Sequence, residues 1–305
     1  MTGLIVDEPI VDISKETDNL SAFRLILSRG RLLLSSFFSN NLGIPKFPTV
    51  SDNRMDKYIS KVDVKLIRVK PEIGEARIKQ LANVCQRSEK SVFLRLPHAN
   101  ELPQKNRAIA WTIKRTIDWL AALIILIVLS PVMLGLAVIV ATTSKGSIFF
   151  HQWRVGERGK LFRIIKFRTM ITDADKLHHA VMTGQTGLHK CEADPRITTV
   201  GRWMRKYSLD ELPQLFNVLL GEMSLVGPRP WALYDALRIN GDGKRRLNSL
   251  PGVTGAWQVS ARSTMLDLDA VTECDLSYLR HWTLWSDLKI LLMTVPKVLS
   301  GFGAC

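Results

Sequence analysis

Cysteine is scarce in this chain, which has four cysteines among 305 residues. Cys85, Cys191, Cys274 and Cys305 lie far apart, and no two of them form a CxxC pair. This spacing argues against a zinc site or a disulfide framework, and it favours reduced thiols on a cytosolic side.

Acidic residues are in the minority, because 28 Asp and Glu stand against 42 Lys and Arg and the formal net charge is +14. An excess of this size predicts an anionic partner: nucleic acid, an anionic membrane surface or a phosphate-rich substrate. Charge alone does not choose among the three. Internal repeats and low-complexity tracts are also absent from the sequence, and a hydrophobic content of 46% is enough for a sizeable core.

The N-terminal region shows no secretory signal, since Asp7, Glu8 and Asp12 occupy the place of a basic n-region. Residues 23–38 are apolar with interspersed arginines, which we interpret as an amphipathic helix. A strand at 62–69, a helix at 72–86 and a strand at 91–96 follow. We therefore assign residues 1–106 to an accessory region that contains a small α/β unit and no identified chemistry.

One long apolar run lies in the middle of the chain. Residues 119–141 are 23 consecutive residues without a charge, enough for a helix to cross a hydrocarbon core of ~30 Å. A buried helix of a soluble core is the alternative, but such segments rarely exceed about 18 apolar residues. We predict a membrane segment at residues 117–143.

The flanks of this segment favour a re-entrant helix. Ser130-Pro131 lies at its midpoint, where the proline kinks the helix and the serine hydroxyl can satisfy the freed carbonyl. Basic residues favour the cytoplasmic side, and both flanks carry them. They are Lys114 and Arg115 before the segment and Lys145, Arg154, Arg158 and Lys160 after it. A helix that bends at Pro131 and returns to the same face satisfies both flanks, whereas a straight span exports one of them.

The remainder, within a domain at residues 107–305, predicts an α+β, mostly helical fold with short elements. We expect a strand at 161–167 and helical segments at 200–206, 209–220, 267–282 and 287–299.

Asp210 and Glu211 are the first candidates for chemistry. Ser208 with Glu211 three residues later has the pattern of a capping box, so a structural role for both carboxylates is an equal alternative. The functional interpretation is phosphoryl chemistry. One carboxylate attacks phosphorus and forms an acyl-phosphate, and the other holds a Mg²⁺ that neutralises the phosphates.

Basic segments favour the functional interpretation. Residues 151–168 and 194–206 are rich in arginine, which binds phosphate in a bidentate manner. Arg229 lies between Pro228 and Pro230, a stiff loop that holds a guanidinium with little entropy to lose. Taken singly, each of the other basic residues is equally compatible with a solvated charge or a lipid contact.

In this order, the segments resemble the bacterial sugar transferase family, the monotopic polyprenol-phosphate hexose-1-phosphate transferases or phosphoglycosyl transferases. The resemblance covers about residues 107–304. It is carried by Lys114-Arg115 with Asp118, Ser130-Pro131, Arg154-Val155-Gly156, Lys166-Phe167-Arg168-Thr169-Met170, Asp194-Pro195-Arg196, Ser208-Leu209-Asp210-Glu211-Leu212-Pro213, Gly227-Pro228-Arg229-Pro230, Pro251-Gly252-Val253-Thr254-Gly255 and Asp287-Leu288-Lys289-Ile290.

The resemblance implies a monotopic membrane protein with one re-entrant helix bent at Ser130-Pro131 and a catalytic domain on the cytoplasmic face of the cytoplasmic membrane. It also implies a two-step reaction. Asp210 attacks the β-phosphorus of a UDP-sugar and releases UMP. A polyprenol phosphate then takes the phosphosugar from the aspartate, which initiates exopolysaccharide or glycan synthesis.

The resemblance also implies roles for individual residues. Glu211 is expected to bind Mg²⁺. Substrate-binding positions are Lys166, Arg168, Arg205, Arg229, Arg262 and Asp287. The sequence departs from the family pattern at Glu222, where the family has aspartate, and at Ala261, where it has glycine.

The expected partners are a UDP-sugar, polyprenol phosphate and anionic membrane lipids, with homo-oligomerisation left open. Nucleic acid is not expected, because the apolar segment argues against it and no zinc-finger or RRM pattern occurs. A membrane-tethered scaffold that binds anionic lipid is the alternative function, and it would tolerate Asp210→Ala. No residue distinguishes glucose, galactose or an N-acetylated sugar.

Overall fold

A computed structural model describes residues 23–28, 31–36, 65–97, 102–103, 107–174, 194–239, 241–260 and 267–301. The chain forms two compact units. The first comprises Met1–Arg95 with Gly159–Leu161, and the second comprises Leu96–Arg158 with Phe162–Cys305.

The first unit is built on a four-stranded sheet with strand order β1-β2-β3-β4. Its elements are β1 (Phe23–Ser28), β2 (Arg31–Ser36), β3 (Leu66–Val69), α1 (Glu75–Arg87) and β4 (Ser91–Leu94). β3 and β4 are parallel, and a parallel pair needs a crossover connection, which α1 supplies. Apolar side chains of all three elements, among them Ile67, Ile78 and Val92, are buried. These elements overlap the strand, helix and strand expected at residues 62–96.

The expectation of an amphipathic helix at residues 23–38 is wrong, because β1 and β2 occupy this segment. The two strands are antiparallel, with Leu25 opposite Leu34 and Ser28 opposite Arg31. β2 also pairs in parallel with β3. Pairing with a strand more than thirty residues away outweighs the helix propensity of the leucines.

The second unit is mostly helical, as the sequence predicts. Its elements are α2 (Ala108–Thr143), β5 (Phe149–Val155), β6 (Leu161–Phe167), α3 (Thr199–Lys206), α4 (Gln214–Leu219), β7 (Ser224–Val226), α5 (Leu233–Arg238), β8 (Gly252–Thr254), α6 (Ala256–Ser260), α7 (Leu268–Arg280) and α8 (Leu284–Ser300). Strands β5 and β6 form one two-stranded sheet, and the parallel strands β7 and β8 form another.

The single helix predicted at residues 209–220 is divided in the structure. A 3-10 turn at Leu209–Glu211 precedes α4, which begins at Gln214. Pro213 explains the division, because its ring would clash with the carbonyl four residues earlier in a continuous α-helix.

Helix α2 has 36 residues and is therefore about 54 Å long. It is long and apolar enough to cross a membrane. Pro131 lies inside it and leaves the carbonyl of Ile127 without its helical donor. The hydroxyl of Ser130 donates to that carbonyl at 2.8 Å, so the repair expected from the Ser-Pro sequence is present.

One face of α2 packs on the core of the second unit along most of the helix. Its buried residues recur at helical spacing and are Ala122, Leu126, Met133, Leu136 and Val140. They belong to one cluster with Phe162 and Ile164 of β6 and Leu215 and Val218 of α4. The opposite face is exposed and equally apolar, with residues such as Ile124, Ile127, Val128 and Val132.

The loop that follows β7 is fixed by close contact with the turn around β8. Gly227 donates from its N–H to Thr254 O at 2.9 Å, and Pro228 O accepts from Gly252 N at 3.0 Å. A Cβ on Gly252 would lie 2.1 Å from the nitrogen of Gly227, so this approach requires glycine. The glycine-rich turn therefore holds the segment that contains Arg229.

Candidate active site

Asp210 and Glu211 are buried in the 3-10 turn Leu209–Glu211, between α3 and α4. Ser208 precedes the turn with a φ of 53°, a left-handed conformation that a non-glycine residue seldom adopts. Its side chain makes no capping hydrogen bond to the turn. The capping-box alternative is therefore wrong, and the carboxylate of Glu211 bonds to other partners.

Two cations meet at one carboxylate oxygen of Glu211. Lys166 Nζ, from β6, and Arg229 Nη2 each lie 2.8 Å from Oε1. Arg229 Nη1 makes a longer contact of 3.5 Å with Oε2. Charge-assisted hydrogen bonds of this kind are about twice as strong as neutral ones. The fold thus brings together three predicted site residues from separate segments.

Two more arginines lie within electrostatic reach of the carboxylates. Arg205 of α3 donates from Nε to Thr169 Oγ1 at 2.9 Å, and its charge lowers the pKa of Asp210. Arg154 of β5 donates from Nη2 to Gln152 Oε1 at 2.6 Å. The buried Nε of Arg154 has no hydrogen-bond partner among the described residues. A buried donor without an acceptor is costly, so this nitrogen indicates a place for an anionic ligand.

Burial and charge oppose one another at Asp210. Burial raises the pKa of its carboxyl and the charge of Glu211 raises it further, whereas Lys166, Arg205 and Arg229 lower it. The pKa of Lys166 is lowered by burial, against the opposing effect of Glu211. For Arg229 the two carboxylates outweigh burial, and its pKa is raised. Burial is the largest of these effects on Asp210, so its pKa is raised overall and the cations offset only part of the rise.

Arg168 has partners away from these carboxylates. Its Nη1 and Nη2 donate to the carbonyls of Lys145 and Ser144, at 2.6 and 2.8 Å. The guanidinium thereby binds the main chain that follows the C-terminal end of α2. Arg262, the other predicted nucleotide contact, lies outside the described residues.

Asp287 belongs to a second buried network. Its Oδ2 accepts from Lys114 Nζ at 2.7 Å and from Trp282 Nε1 at 3.1 Å, and its Oδ1 accepts from Tyr278 at 2.6 Å. Lys114 also lies 3.5 Å from Asp118 Oδ2. In this structure Asp287 therefore joins α2, α7 and α8, and its hydrogen bonds go to side chains of the protein.

Asp118 extends the second network to β7. It accepts from the hydroxyl of Ser224 at 2.6 Å and from the N–H of Leu225 at 3.3 Å. Arg115 donates to the carbonyl of Met223 at 2.9 Å. The beginning of α2 is thus bound to β7 as well as to α8.

Arg154 and Thr169 lie at the site but are not among the individually predicted site residues, although Arg154 belongs to the basic segment at residues 151–168. Both lie in motifs that carry the family resemblance, but neither shows a periodicity that would place it. Their positions depend on how β5 and β6 pair and on where α3 packs, and a single sequence does not reveal either.

The carboxylate pair also bears on the expected Mg²⁺. The described residues contain no group of three or more His, Cys, Asp or Glu side chains that could hold a metal ion. Mg²⁺, however, is commonly bound by one or two carboxylates together with substrate phosphates and water. Glu211 is the carboxylate expected to share such a site with the substrate. A metal ion there would lie beside Lys166 and Arg229, which already engage Glu211.

Comparison with known proteins adds independent evidence. Residues 109–301 match the family model described as "Bacterial sugar transferase". The chain is 48% identical over 164 residues to the galactosyl transferase CpsE of Streptococcus agalactiae, which covers 52% of this chain and 36% of that protein. It is 43% identical over 199 residues to the undecaprenyl-phosphate galactose phosphotransferase of Salmonella typhimurium, covering 63% of this chain and 41% of the relative.

A shorter relative matches over almost all of its length. The exopolysaccharide production protein ExoY of Sinorhizobium fredii is 38% identical over 216 residues, which cover 67% of this chain and 94% of ExoY. By contrast, the chain spans about two fifths of the length of the Streptococcus and Salmonella relatives.

Proposed function

Because the chain belongs to the bacterial sugar transferase family, we propose that it transfers a sugar-1-phosphate from a UDP-sugar to a polyprenol phosphate. The similar Salmonella protein is named for galactose phosphotransfer to undecaprenyl phosphate, and ExoY for exopolysaccharide production. The proposed reaction is the initiating step of exopolysaccharide or glycan assembly, and it passes through a phosphosugar bound covalently to Asp210.

One observation carries the proposal: an excess of partly buried positive charge surrounds the buried carboxylate pair. Lys166, Arg154, Arg205 and Arg229 all act electrostatically on one or both of Asp210 and Glu211. Two other nearby carboxylates have arginine partners of their own. These pairs are Asp194 with Arg196 and Asp235 with Arg238. Four cations against two carboxylates favour an anion such as a diphosphate.

The proposed chemistry takes Asp210 as the nucleophile, as the family resemblance implies. An oxygen of its carboxylate attacks the β-phosphorus of the donor, and the bond from that phosphorus to the bridging oxygen breaks, so that UMP leaves. An oxygen of the polyprenol phosphate then attacks the same phosphorus and displaces Asp210. The surrounding cations stabilise the charge that develops on the phosphoryl oxygens. A Mg²⁺ held by Glu211 and the diphosphate would add further neutralisation when bound.

We also propose that α2 is re-entrant, with both ends on the cytoplasmic side. The hydrogen bonds of its two ends support this topology. Residues Lys114 and Asp118 near the beginning bond to Asp287 and Ser224, and the carbonyl of Ser144 just beyond the end bonds to Arg168. All of these partners lie in one compact unit, so a straight crossing would have to divide that unit between two sides of the bilayer.

Helix α8 supplies a second apolar surface for the membrane. Its exposed large side chains recur every three or four residues and are Trp285, Leu288, Leu292, Val295 and Leu299. The Lys114–Asp287 bond connects α8 to α2. We propose that this stripe lies at the lipid–water boundary, where a soluble nucleotide-sugar and a membrane-bound acceptor can both reach Asp210.

The decisive experiment is a UMP-release assay in membrane fractions with a panel of UDP-sugars. We expect release from at least one donor by the wild type, and a loss of at least about 10³-fold in Asp210→Asn, because the nucleophile is removed. Asp269→Asn, an exposed aspartate of α7, is the matched control and should retain activity. A radiolabelled phosphosugar should remain on the wild type when no acceptor is present. Absence of UMP from every donor would overturn the proposal and favour the lipid-binding scaffold. Full turnover by Asp210→Asn would instead overturn the role of Asp210 as the nucleophile.

The proposed topology has its own test. Cysteines introduced just before residue 119 and just after residue 141 should react with an impermeant maleimide from the same side of sealed vesicles. Reaction from opposite sides would show that α2 spans the bilayer.

A further inference from the structure

An ion pair between Arg246 and Asp275 is enclosed in the second unit. Arg246 lies in the 3-10 helix Gly241–Asn248 and Asp275 in α7, and each side chain is 1% exposed. Nε and Nη2 of Arg246 both donate to Oδ2 of Asp275, with Nε at 3.0 Å. Buried ion pairs are often no more stable than apolar residues of similar volume. Stability alone therefore does not account for this pair.

Arg246 also contacts the segment that carries Arg229. Its Nη2 donates to the main-chain carbonyl of Arg229 at 3.1 Å. Its guanidinium carbon lies 4.0 Å from the ring centroid of Trp231, a cation–π contact. Trp231 Nε1 has no hydrogen-bond partner within the described part of the chain, so the ring is held by its face. Arg246 thus contacts the residues on both sides of Pro230: the carbonyl of Arg229 and the ring of Trp231.

The contacts of Arg246 add to the main-chain hydrogen bonds that fix the residues before Arg229. Pro228 O and Gly227 N are bonded to the turn around β8, but proline has no N–H to add further bonds. At Arg229 itself, the hydrogen bond from Arg246 to the main-chain carbonyl holds the segment in place. The main chain of Arg229 is thereby fixed, and its side-chain Nη2 lies 2.8 Å from Glu211 Oε1. A displacement of 1 Å at a catalytic centre can cost about 10²-fold in rate.

We propose that the Arg246–Asp275 pair positions Arg229 against Glu211 and the donor diphosphate. The pair itself lies behind the segment and touches no reacting atom, so it acts through Arg229. The inference rests on the proposed function for the identity of the substrate. The arrangement of the main chain around Arg229 is independent of that function.

The kinetic test is a double-mutant cycle on full-length protein in membranes. Arg246→Lys keeps a positive charge next to Asp275 but cannot bond two acceptors as a planar fork while stacking on Trp231. We expect it to lower kcat/KM for UMP release by about 10- to 100-fold. In the background of Arg229→Gln, where no guanidinium remains to be positioned, the same change should lower kcat/KM by less than about threefold. Single-turnover measurements with enzyme in excess keep the slow variants measurable.

The structural test is hydrogen exchange of the peptide that contains the amides of Arg229 and Trp231. These amides should exchange at least tenfold faster in Arg246→Lys than in the wild type. Arg280→Lys, which alters an exposed pair with Glu273 on the same α7 helix, is the control and should change neither exchange nor kcat/KM. Asp275→Asn should reproduce the effects of Arg246→Lys if the pair acts as a unit.

The outcomes separate this inference from the proposed function. Positioning by the pair is overturned if the losses in kcat/KM of Arg246→Lys and Arg229→Gln multiply fully in the double variant. It is also overturned if Arg246→Lys leaves amide hydrogen exchange at residues 229–231 unchanged. Absence of UMP release by the wild type overturns the proposed function, and hydrogen exchange then still decides whether Arg246 fixes the segment. If Arg246→Lys does not fold, as judged by a lost thermal transition, Asp275→Asn takes its place in both tests.

Discussion

Replacing Asp287 by asparagine distinguishes two roles for this residue. The resemblance assigns Asp287 to substrate binding, whereas the structure gives it three side-chain donors: Lys114, Tyr278 and Trp282. An asparagine keeps the shape but removes the charge. It leaves the ammonium of Lys114, whose side chain is 3% exposed, without its closest counter-charge, and it presents an amide N–H₂ to groups that donate.

The expected cost follows from burial. Removing one partner of a buried ion pair destabilises a protein by about 3–5 kcal/mol, and for a unit of this size each kcal/mol lowers Tm by about 2–4 °C. We therefore expect the apparent Tm of Asp287→Asn in nanodiscs to fall by roughly 6–20 °C. The KM for the UDP-sugar of the fraction that stays folded should change by less than about threefold, since the carboxylate is committed to the protein.

Thermal unfolding and initial-rate kinetics on the same preparation check this expectation. Asp269→Asn is the control, because Asp269 lies exposed on α7 and surface changes usually stay within about 0.5 kcal/mol. A variant with the Tm of the wild type but a KM raised tenfold or more would refute the structural role. It would show that Asp287 exchanges its protein donors for the substrate.

Three further predictions concern the site and the membrane. Lys166→Gln should move the acidic limb of the pH profile of kcat/KM to higher pH, because Lys166 is the strongest of the charges that lower the pKa of Asp210 and attack needs the ionised carboxylate; an unmoved limb would contradict this. Arg154→Gln should raise the KM for the UDP-sugar about tenfold or more by removing a charged donor, with kcat changed less; initial rates at several salt concentrations measure it. Brominated lipids should quench the tryptophan fluorescence of the wild type in nanodiscs more strongly than that of Trp285→Phe, because Trp285 is exposed on the apolar stripe of α8; equal quenching of the two would show that Trp285 does not contact lipid.

The elements of the second unit were predictable where one face of a local pattern is buried. β6 lies at the predicted residues 161–167, and the long apolar helix occurs where charge is absent from the sequence. The segment at 23–38 shows the limit of such patterns. Its apolar residues suit either a helix or a strand, and pairing with β3 decides between them. No local spacing encodes a partner that far along the chain.

At the site, residue types were predictable but contacts were not. A lysine, two carboxylates and an arginine between prolines indicate phosphate chemistry, and Lys166, Glu211 and Arg229 do meet. The family resemblance also places Arg168 near the phosphates, whereas in the structure its guanidinium binds carbonyls beyond the end of α2. Arginine suits phosphates and free carbonyls equally well, so identity alone cannot separate the two. Only the packing of β6 beside the end of α2 does so.

The two buried networks differ in how their charges are balanced, and this difference separates structural from functional roles. Around Asp287 each carboxylate oxygen accepts from at least one protein donor, and Lys114 lies near both Asp287 and Asp118. The hydrogen bonds shown for Asp287 and Asp118 all go to groups of the protein. Around Glu211, cations exceed carboxylates and Arg154 keeps a buried Nε without a described acceptor. Positive charge that is in excess and partly desolvated raises the free energy of the protein without substrate. A diphosphate relieves that cost on binding, and a developing phosphoryl charge relieves it again in the transition state.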